Sequence, residues 1–298
     1  MKNLKQLIEE AEKKKIAIGH FNVSTLEQLK AIVEAARNLK VAVIIGVSEG
    51  ERDFIGARQI TSLIQSFKKE KLSIFLNADH THSLEKVKEA ARLGFDAILF
   101  DAAKLPFKEN ISLTKQAVKI AKSINKNILV EGELGYIGDF SQILKSLPKK
   151  AAIEEKNFTK PDEAKLFVEQ TGVDLLAPAV GNIHGILTST KNNIDFAEVK
   201  AENPRLDIKR IKEIKRAIRI PLVLHGGSGI GDKDFLAAID AGISIIHIST
   251  EIRLAWRRGL KESLAHHRNE LAPYKILPSV INEIKKIVIK RLKLFNKI

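Results

Sequence analysis

The run Ser73-Ile74-Phe75-Leu76-Asn77-Ala78-Asp79-His80 is apolar and strand-like until it gives out in Asp79 and His80, and a helix signal follows at Ser83, ahead of Leu84-Glu85-Lys86. Short apolar runs of this kind suit a sheet covered on both faces, and a helical segment directly afterwards is the return leg of a parallel βα unit. Outward from this unit the alternation repeats. Strand-type runs lie at 16–22, 41–47, 73–79, 97–101, 128–134, 175–180, 222–225 and 243–248, and helical spacing at 25–38, 83–93, 110–123, 161–170, 208–217 and 232–241. Ser24 or Thr25 and Ser83 cap helix starts, while Gly94, Gly172 and Gly242 close helix ends. Eight such units predict an α/β fold, a (β/α)8 barrel of one domain spanning residues 1–298, with an amphipathic C-terminal helical extension over 278–298. Segments 137–159 and 186–204, the latter with Asn192-Asn193, break the rhythm and read as lids.

Composition narrows the class. With 44% hydrophobic and 29% charged residues, no Cys and no long uninterrupted apolar stretch, the 298-residue chain predicts neither a membrane span nor a disulfide. The first residues carry acids and no signal-type apolar core, so a cytoplasmic location is expected. Fifty Lys and Arg against 36 Asp and Glu give a net charge of +14. That field draws phosphorylated metabolites or nucleic acid. The excess is spread along helices and interleaved with Ile and Leu, with two Tyr and one Trp for stacking bases, so no specific nucleic-acid partner is expected.

Four islands close strand-type runs: Asn77-Ala78-Asp79-His80, Glu131-Gly132-Glu133-Leu134-Gly135, Gly181-Asn182-Ile183-His184-Gly185 and His225-Gly226-Gly227-Ser228-Gly229. A barrel puts strand ends around one mouth, so His80, His184 and His225 share it. Three neutral imidazoles with an open fourth position form a catalytic zinc arrangement. Glu131 and Glu133, two apart on a strand, face the same way into the barrel, and with Asp101 they suit a second cation site, divalent or monovalent. Asp79 beside the metal is a natural acid/base. The glycine turn after strand seven and Ile248-Ser249-Thr250 after strand eight occupy the loops that commonly bind phosphate in barrels.

Through these islands, and through Phe21-Asn22-Val23 and Val47-Ser48, the chain resembles the class II, metal-dependent fructose-bisphosphate aldolases and their tagatose-bisphosphate relatives over nearly its whole length. The resemblance implies that His80, His184 and His225 bind a catalytic Zn2+, with Asp101 and Glu133 at acidic second-metal positions. It makes Asp79 the acid/base. It places Asn22, Ser48, Gly185, Gly226, Gly227, Ser228, His247, Ser249 and Thr250 against substrate. The implied reaction is reversible cleavage of fructose 1,6-bisphosphate to dihydroxyacetone phosphate and glyceraldehyde 3-phosphate, in glycolysis and gluconeogenesis. Zn2+ would polarise the ketose carbonyl and stabilise the enediolate. A homodimer or homotetramer is implied as well.

Three departures bear on substrate choice. His247 stands where the family usually has Asn, Ser249 where it has Asp or Asn, and Asp79-His80 is followed by Thr81-His82. In the 137–159 loop, Gly138-Asp139 is followed by Phe140 and a basic run instead of an acidic cluster, which leaves Glu154 and Glu155 as candidates for a second acid, against a solvated helix start before Asn157. A Schiff-base route would require a barrel lysine, and strand six, 175–180, has none. The alternatives are a tagatose- or other ketose-bisphosphate aldolase and, in another class, a non-catalytic sugar-phosphate or RNA-binding barrel.

Overall fold

The computed structural model describes residues 2–138, 141–149, 151–189 and 199–298. Barrel strands are β1 (Ile18–Asn22), β2 (Val43–Val47), β3 (Ile74–Thr81), β4 (Ala97–Phe100), β5 (Leu129–Leu134), β6 (Leu175–Pro178), β7 (Leu222–Leu224) and β8 (Ile243–Ile248). They pair in parallel and close in the order β1-β8-β7-β6-β5-β4-β3-β2. This is the expected (β/α)8 barrel, and each strand begins within a residue or two of its expected start.

Each strand supplies one inward residue to an apolar layer near the strand starts: Ile18, Ile44, Phe75, Ala97, Leu129, Leu175, Val223 and Ile245. Helix α1 (Leu4–Lys14), which the sequence reading did not assign, closes that end with Leu4, Ile8 and Ala11, spaced to share one helix face. The lower interior is therefore dry, and the polar groups stand in the upper half.

Outside lie α2 (Leu26–Leu39), α3 (Glu49–Ile55), α4 (Ala57–Lys69), α5 (Leu84–Leu93), α6 (Phe107–Ile124), α7 (Pro161–Thr171), α8 (Ile208–Ala217), α9 (Asp232–Ala241) and α10 (Thr250–His266). The terminal helix α11 (Pro273–Asn296) starts earlier than the 278 expected, with Pro273 in its first turn and Pro278 inside it. Pro278 is the sixth residue of the helix, past the first turn, so it removes one i to i−4 hydrogen bond, the one to Tyr274, near the N-terminal end. Val280, Ile284, Val288, Leu292 and Phe295 are fully buried along one stripe against α2 and α10. At roughly 1.5–3 kcal/mol each, this stripe contributes on the order of 10 kcal/mol of gross burial, an upper bound.

The segments expected as lids touch one another. Ile143 and Leu144 pair in parallel with Ile186 and Leu187. Asp139, Phe140, Asn192 and Asn193 lie outside the described residues. Among the described residues no helix is long and apolar enough to cross a membrane.

Candidate active site

At the C-terminal mouth of the barrel opens a cavity of about 570 Å³, lined in part by Asn22, Asp79, His80, His184, Ser228 and His247. Its floor is built by strand ends. β3 shifts register between Ala78 and Thr81, and His80 has φ +40°, a left-handed conformation that side chains other than glycine rarely adopt. The bulge turns His80 toward the barrel axis. At the end of β7 the chain turns through Gly226 with φ +61°, where a Cβ would stand 2.1 Å from the carbonyl oxygen of Ile183. Only glycine lets the His225 turn approach the His184 loop so closely.

The three histidines converge. One ring nitrogen of each of His80, His184 and His225 lies within 4.8 Å of the others. Each ring is also fixed from behind. His184 Nδ1–H donates to the Gly138 carbonyl at 2.7 Å, His80 Nδ1–H donates to Asp101 Oδ2 at 2.8 Å, and His225 Nε2 bonds Glu131 Oε1 at 2.7 Å. Orienting bonds of this kind leave the opposite nitrogen of each ring for a ligand. His225 Nδ1 and Glu133 Oε2 are buried with no hydrogen-bond partner. Glu133 Oε2 stands 3.7 Å from His80 Nδ1 and 3.7 Å from His225 Nδ1. His80, Asp101 and Glu133 form an overlapping cluster with ligand atoms within 4.8 Å of one another.

Electrostatics sort the cluster. Burial, with the His80 charge adding, pushes His184 and His225 down to about 3. Burial would lower His80 too, but Asp79, the bond to Asp101 and Glu133 outweigh it and raise His80 to about 10. Burial, reinforced by Asp79, lifts Glu131 to about 8. Burial and Asp101 raise Glu133 well above the carboxylate range. Two acids and one cation in the cluster thus hold protons, and a divalent ion among the histidines would displace at least the one on His80.

Asp79 is buried beside the trio. Burial opposes its charge, yet His80, His20, His225 and the Asn22 hydrogen bond outweigh burial and hold its carboxyl below the ordinary range. Asn22 Nδ2 donates to Asp79 Oδ2 at 2.8 Å, and His247 Nδ1 stands 3.5 Å from Asp79 Oδ1. His247 is stacked between His20, at 3.5 Å between ring centroids, and His225, at 4.0 Å.

At the other side of the cavity Ser228, Ser249 and Thr250 line the wall with Gly185 and Gly226. Ser228 Oγ accepts from the amides of Ser249 and Glu251, and Gly227 N–H donates to the His247 carbonyl at 3.0 Å. These bonds tie the glycine turn to the start of α10, whose N-terminal amides suit an anion. Ser48 caps α3 at the rim. Every site residue expected from the sequence therefore gathers at one mouth, with His225, Gly227, Glu131 and Glu133 behind the wall. Glu154 and Glu155 do not. Both are exposed, and Glu155 opens a 3-10 turn to Asn157, the solvated helix start that was the competing reading.

Sequence reasoning missed His20, Glu51, Lys104 and Arg253. Lys104 and Arg253 line the cavity. His20 lies two residues from Asn22 on β1, so the period of two already put it on the inward face.

A parallel barrel with a histidine cluster, a buried carboxylate and an anion-suited wall at its C-terminal mouth has the parts of a metal-assisted enzyme for an anionic substrate. Comparison with known proteins narrows the class. The family model for class II fructose-bisphosphate aldolase matches residues 2–298. The chain is 33% identical to the fructose-bisphosphate aldolase of Geobacillus stearothermophilus over 98% of this chain and 96% of that protein. Against the Staphylococcus aureus (strain Mu50) fructose-bisphosphate aldolase the identity is 32%, over the same shares of 98% and 96%. The crystal structure of the YdjI aldolase from Escherichia coli K12 superposes with a TM-score of 0.78 at 29% identity, covering 99% of this chain and 97% of that one. The protein belongs to the class II fructose-bisphosphate aldolase family, a family of metal-dependent lyases.

Proposed function

We propose that the protein is a zinc-dependent aldolase that reversibly cleaves fructose 1,6-bisphosphate to dihydroxyacetone phosphate and glyceraldehyde 3-phosphate. The convergence of His80, His184 and His225 beside Asp79 carries this reading. The donor set suits Zn2+: three imidazoles, two of them neutral through the physiological range, and an orphaned, buried His225 Nδ1 aimed away from Glu131. His80, His184 and His225 would hold the ion, with Glu133 near enough to join or leave them and Asp101 orienting His80. When bound, the metal supplies Lewis-acid polarisation of a substrate oxygen.

The chain's own residues do the rest. Asp79, ionised and held by Asn22, accepts the C4 hydroxyl proton in cleavage and returns it in condensation. The Ser228 and Thr250 amides and the buried, unpartnered Ser249 hydroxyl receive one phosphate, and Arg253 and Lys104 supply the cavity wall with cations for the other anionic end. Ser48, Gly185 and His247 complete the substrate wall. His247 in place of the family's Asn keeps tagatose 1,6-bisphosphate, the C4 epimer, as the second reading. The assembly we propose is a homodimer or homotetramer, to be read by light scattering.

The deciding experiment compares kcat/KM for both ketose bisphosphates with and without chelator. Chelation is expected to abolish turnover, Zn2+ or Co2+ to restore it, and borohydride with substrate to leave it intact. Inactivation by borohydride would instead point to an imine and defeat the reading.

A further inference from the structure

Glu51 is a carboxylate the reaction has not yet used. It sits at the third helical position of α3, where an acid commonly reaches back to cap the helix, and its Oε2 does accept from the Ser48 amide at 2.8 Å. A cap alone does not explain its surroundings, because capping glutamates are normally solvated and Glu51 is buried. The same Oε2 accepts from Asn22 Nδ2 at 2.9 Å, and Oε1 accepts from the Arg253 guanidinium at 2.8 Å. Three donors, from β1, the cap of α3 and α10, thus meet on one buried carboxylate. Burying a charge close to another carboxylate is unfavourable unless its donors are needed there.

The amide of Asn22 has two hydrogens, and both are committed to carboxylates, one to Asp79 and one to Glu51. This fixes its flip and leaves only Oδ1 free, as an acceptor. Arg253 is held at two points, by Glu51 and by the Ser141 carbonyl of the 137–159 segment, with its guanidinium at the cavity wall.

We propose that Glu51 is a positioning residue for the aldolase reaction, holding Arg253 toward the anionic end of the substrate and locking Asn22 so that it accepts from a substrate hydroxyl while donating to Asp79. The proposal rests on the aldolase reading of the site. It joins the proton-handling side of the cavity to its cationic side through one side chain. It also reassigns Asn22, which would receive a substrate hydrogen and not offer one.

Two variants separate positioning from capping. In E51Q the side-chain oxygen can still accept from Ser48 and Asn22, but the amide nitrogen then faces Arg253, donor against donor. The metal-loaded E51Q protein is expected to keep its melting temperature and its zinc content, with KM for the ketose bisphosphate up about tenfold and kcat within about threefold. E51A removes the support of Asn22 as well, and its kcat is expected to fall about tenfold further per folded, zinc-loaded molecule. Calorimetric binding of dihydroxyacetone phosphate gives a readout without turnover and is expected to weaken in E51A. Unchanged KM in E51Q, or an E51A loss that tracks only its melting temperature, would overturn the proposal while leaving the aldolase reading intact. A wild-type protein that cleaves no ketose bisphosphate would overturn both.

Discussion

Metal uptake by the cluster should be steeply pH-dependent, and the protons responsible can be named. The perturbation is to raise the pH of the metal-free protein from 6 to 8 while titrating Zn2+. His184 and His225, pushed down to about 3, are already neutral over this range and contribute no slope. His80, raised to about 10, carries its proton throughout and must lose it to bind. At pH 7 that displacement costs about 4 kcal/mol, at 1.36 kcal/mol per unit. Each unit of pH upward recovers about tenfold in affinity for one proton. Glu131, lifted to about 8, adds a second proton below that pH, because its ionised form is what fixes the His225 hydrogen on Nε2 and frees Nδ1. Affinity should therefore rise by about tenfold to a hundredfold per unit between pH 6 and 8.

Competition against a chromophoric chelator gives the slope, and calorimetry in two buffers of different ionisation enthalpy gives the proton count. One to two protons should leave per Zn2+. Asp101→Asn should flatten the slope, since it removes one of the contacts that hold the proton on His80. An affinity that is flat in pH, or binding without proton release, would refute the argument. It would mean that His80 is neutral in the metal-free protein and that its bond to Asp101 does not set its charge.

Three further outcomes are expected. Asp79→Asn should retain stoichiometric zinc but lose about 10²–10⁴-fold in kcat, measured by a coupled assay beside metal analysis; near-normal turnover would place the proton transfer elsewhere. Gly226→Ala forces a Cβ to within 2.1 Å of the Ile183 carbonyl at φ +61°, and should lower stability by roughly 1–3 kcal/mol and weaken zinc binding together. Unaltered melting and metal affinity would show that the turn is free to relax. Leu292→Ala, in the fully buried stripe of α11, should cost about 2–5 kcal/mol by denaturant titration with KM unchanged, because Leu292 packs outside the barrel and lines no part of the cavity.

The barrel strands were legible because a strand buried on both faces is a short apolar run, and such runs end where polar strand ends reach the mouth. Period-two alternation also put Glu131 and Glu133 on the inward face, and it would have done the same for His20 beside Asn22. Helix α1 was missed although Leu4, Ile8 and Ala11 carry its stripe, since nothing local says that the stripe meets the open end of a barrel. Glu51 and Arg253 were missed for a related reason. Their meaning lies in partners 29 and 202 residues away, and sequence spacing reports only which way a side chain faces.

The two halves of the barrel interior divide the labour between stability and chemistry. Below, eight strands each contribute an apolar side chain to a dry layer closed by α1. Above, His20 Nδ1, Asp79 Oδ1, Glu133 Oε2, His225 Nδ1 and His247 Nε2 are all buried without partners. Each orphaned group costs about 1–3 kcal/mol in a folded protein, so the upper layer opposes folding and the lower layer must offset it. A cation in the trio and a substrate against Asp79 and His247 would supply partners that the chain itself withholds. Ligand binding should therefore stabilise this fold most where it is least self-sufficient, at the strand ends of β3, β7 and β8, and hydrogen exchange at those strand ends should slow on zinc addition while exchange in the lower layer stays as it was. Uniform slowing across both layers would indicate that the mouth and the base of the barrel open as one unit, and would remove the division of labour argued from the orphaned atoms.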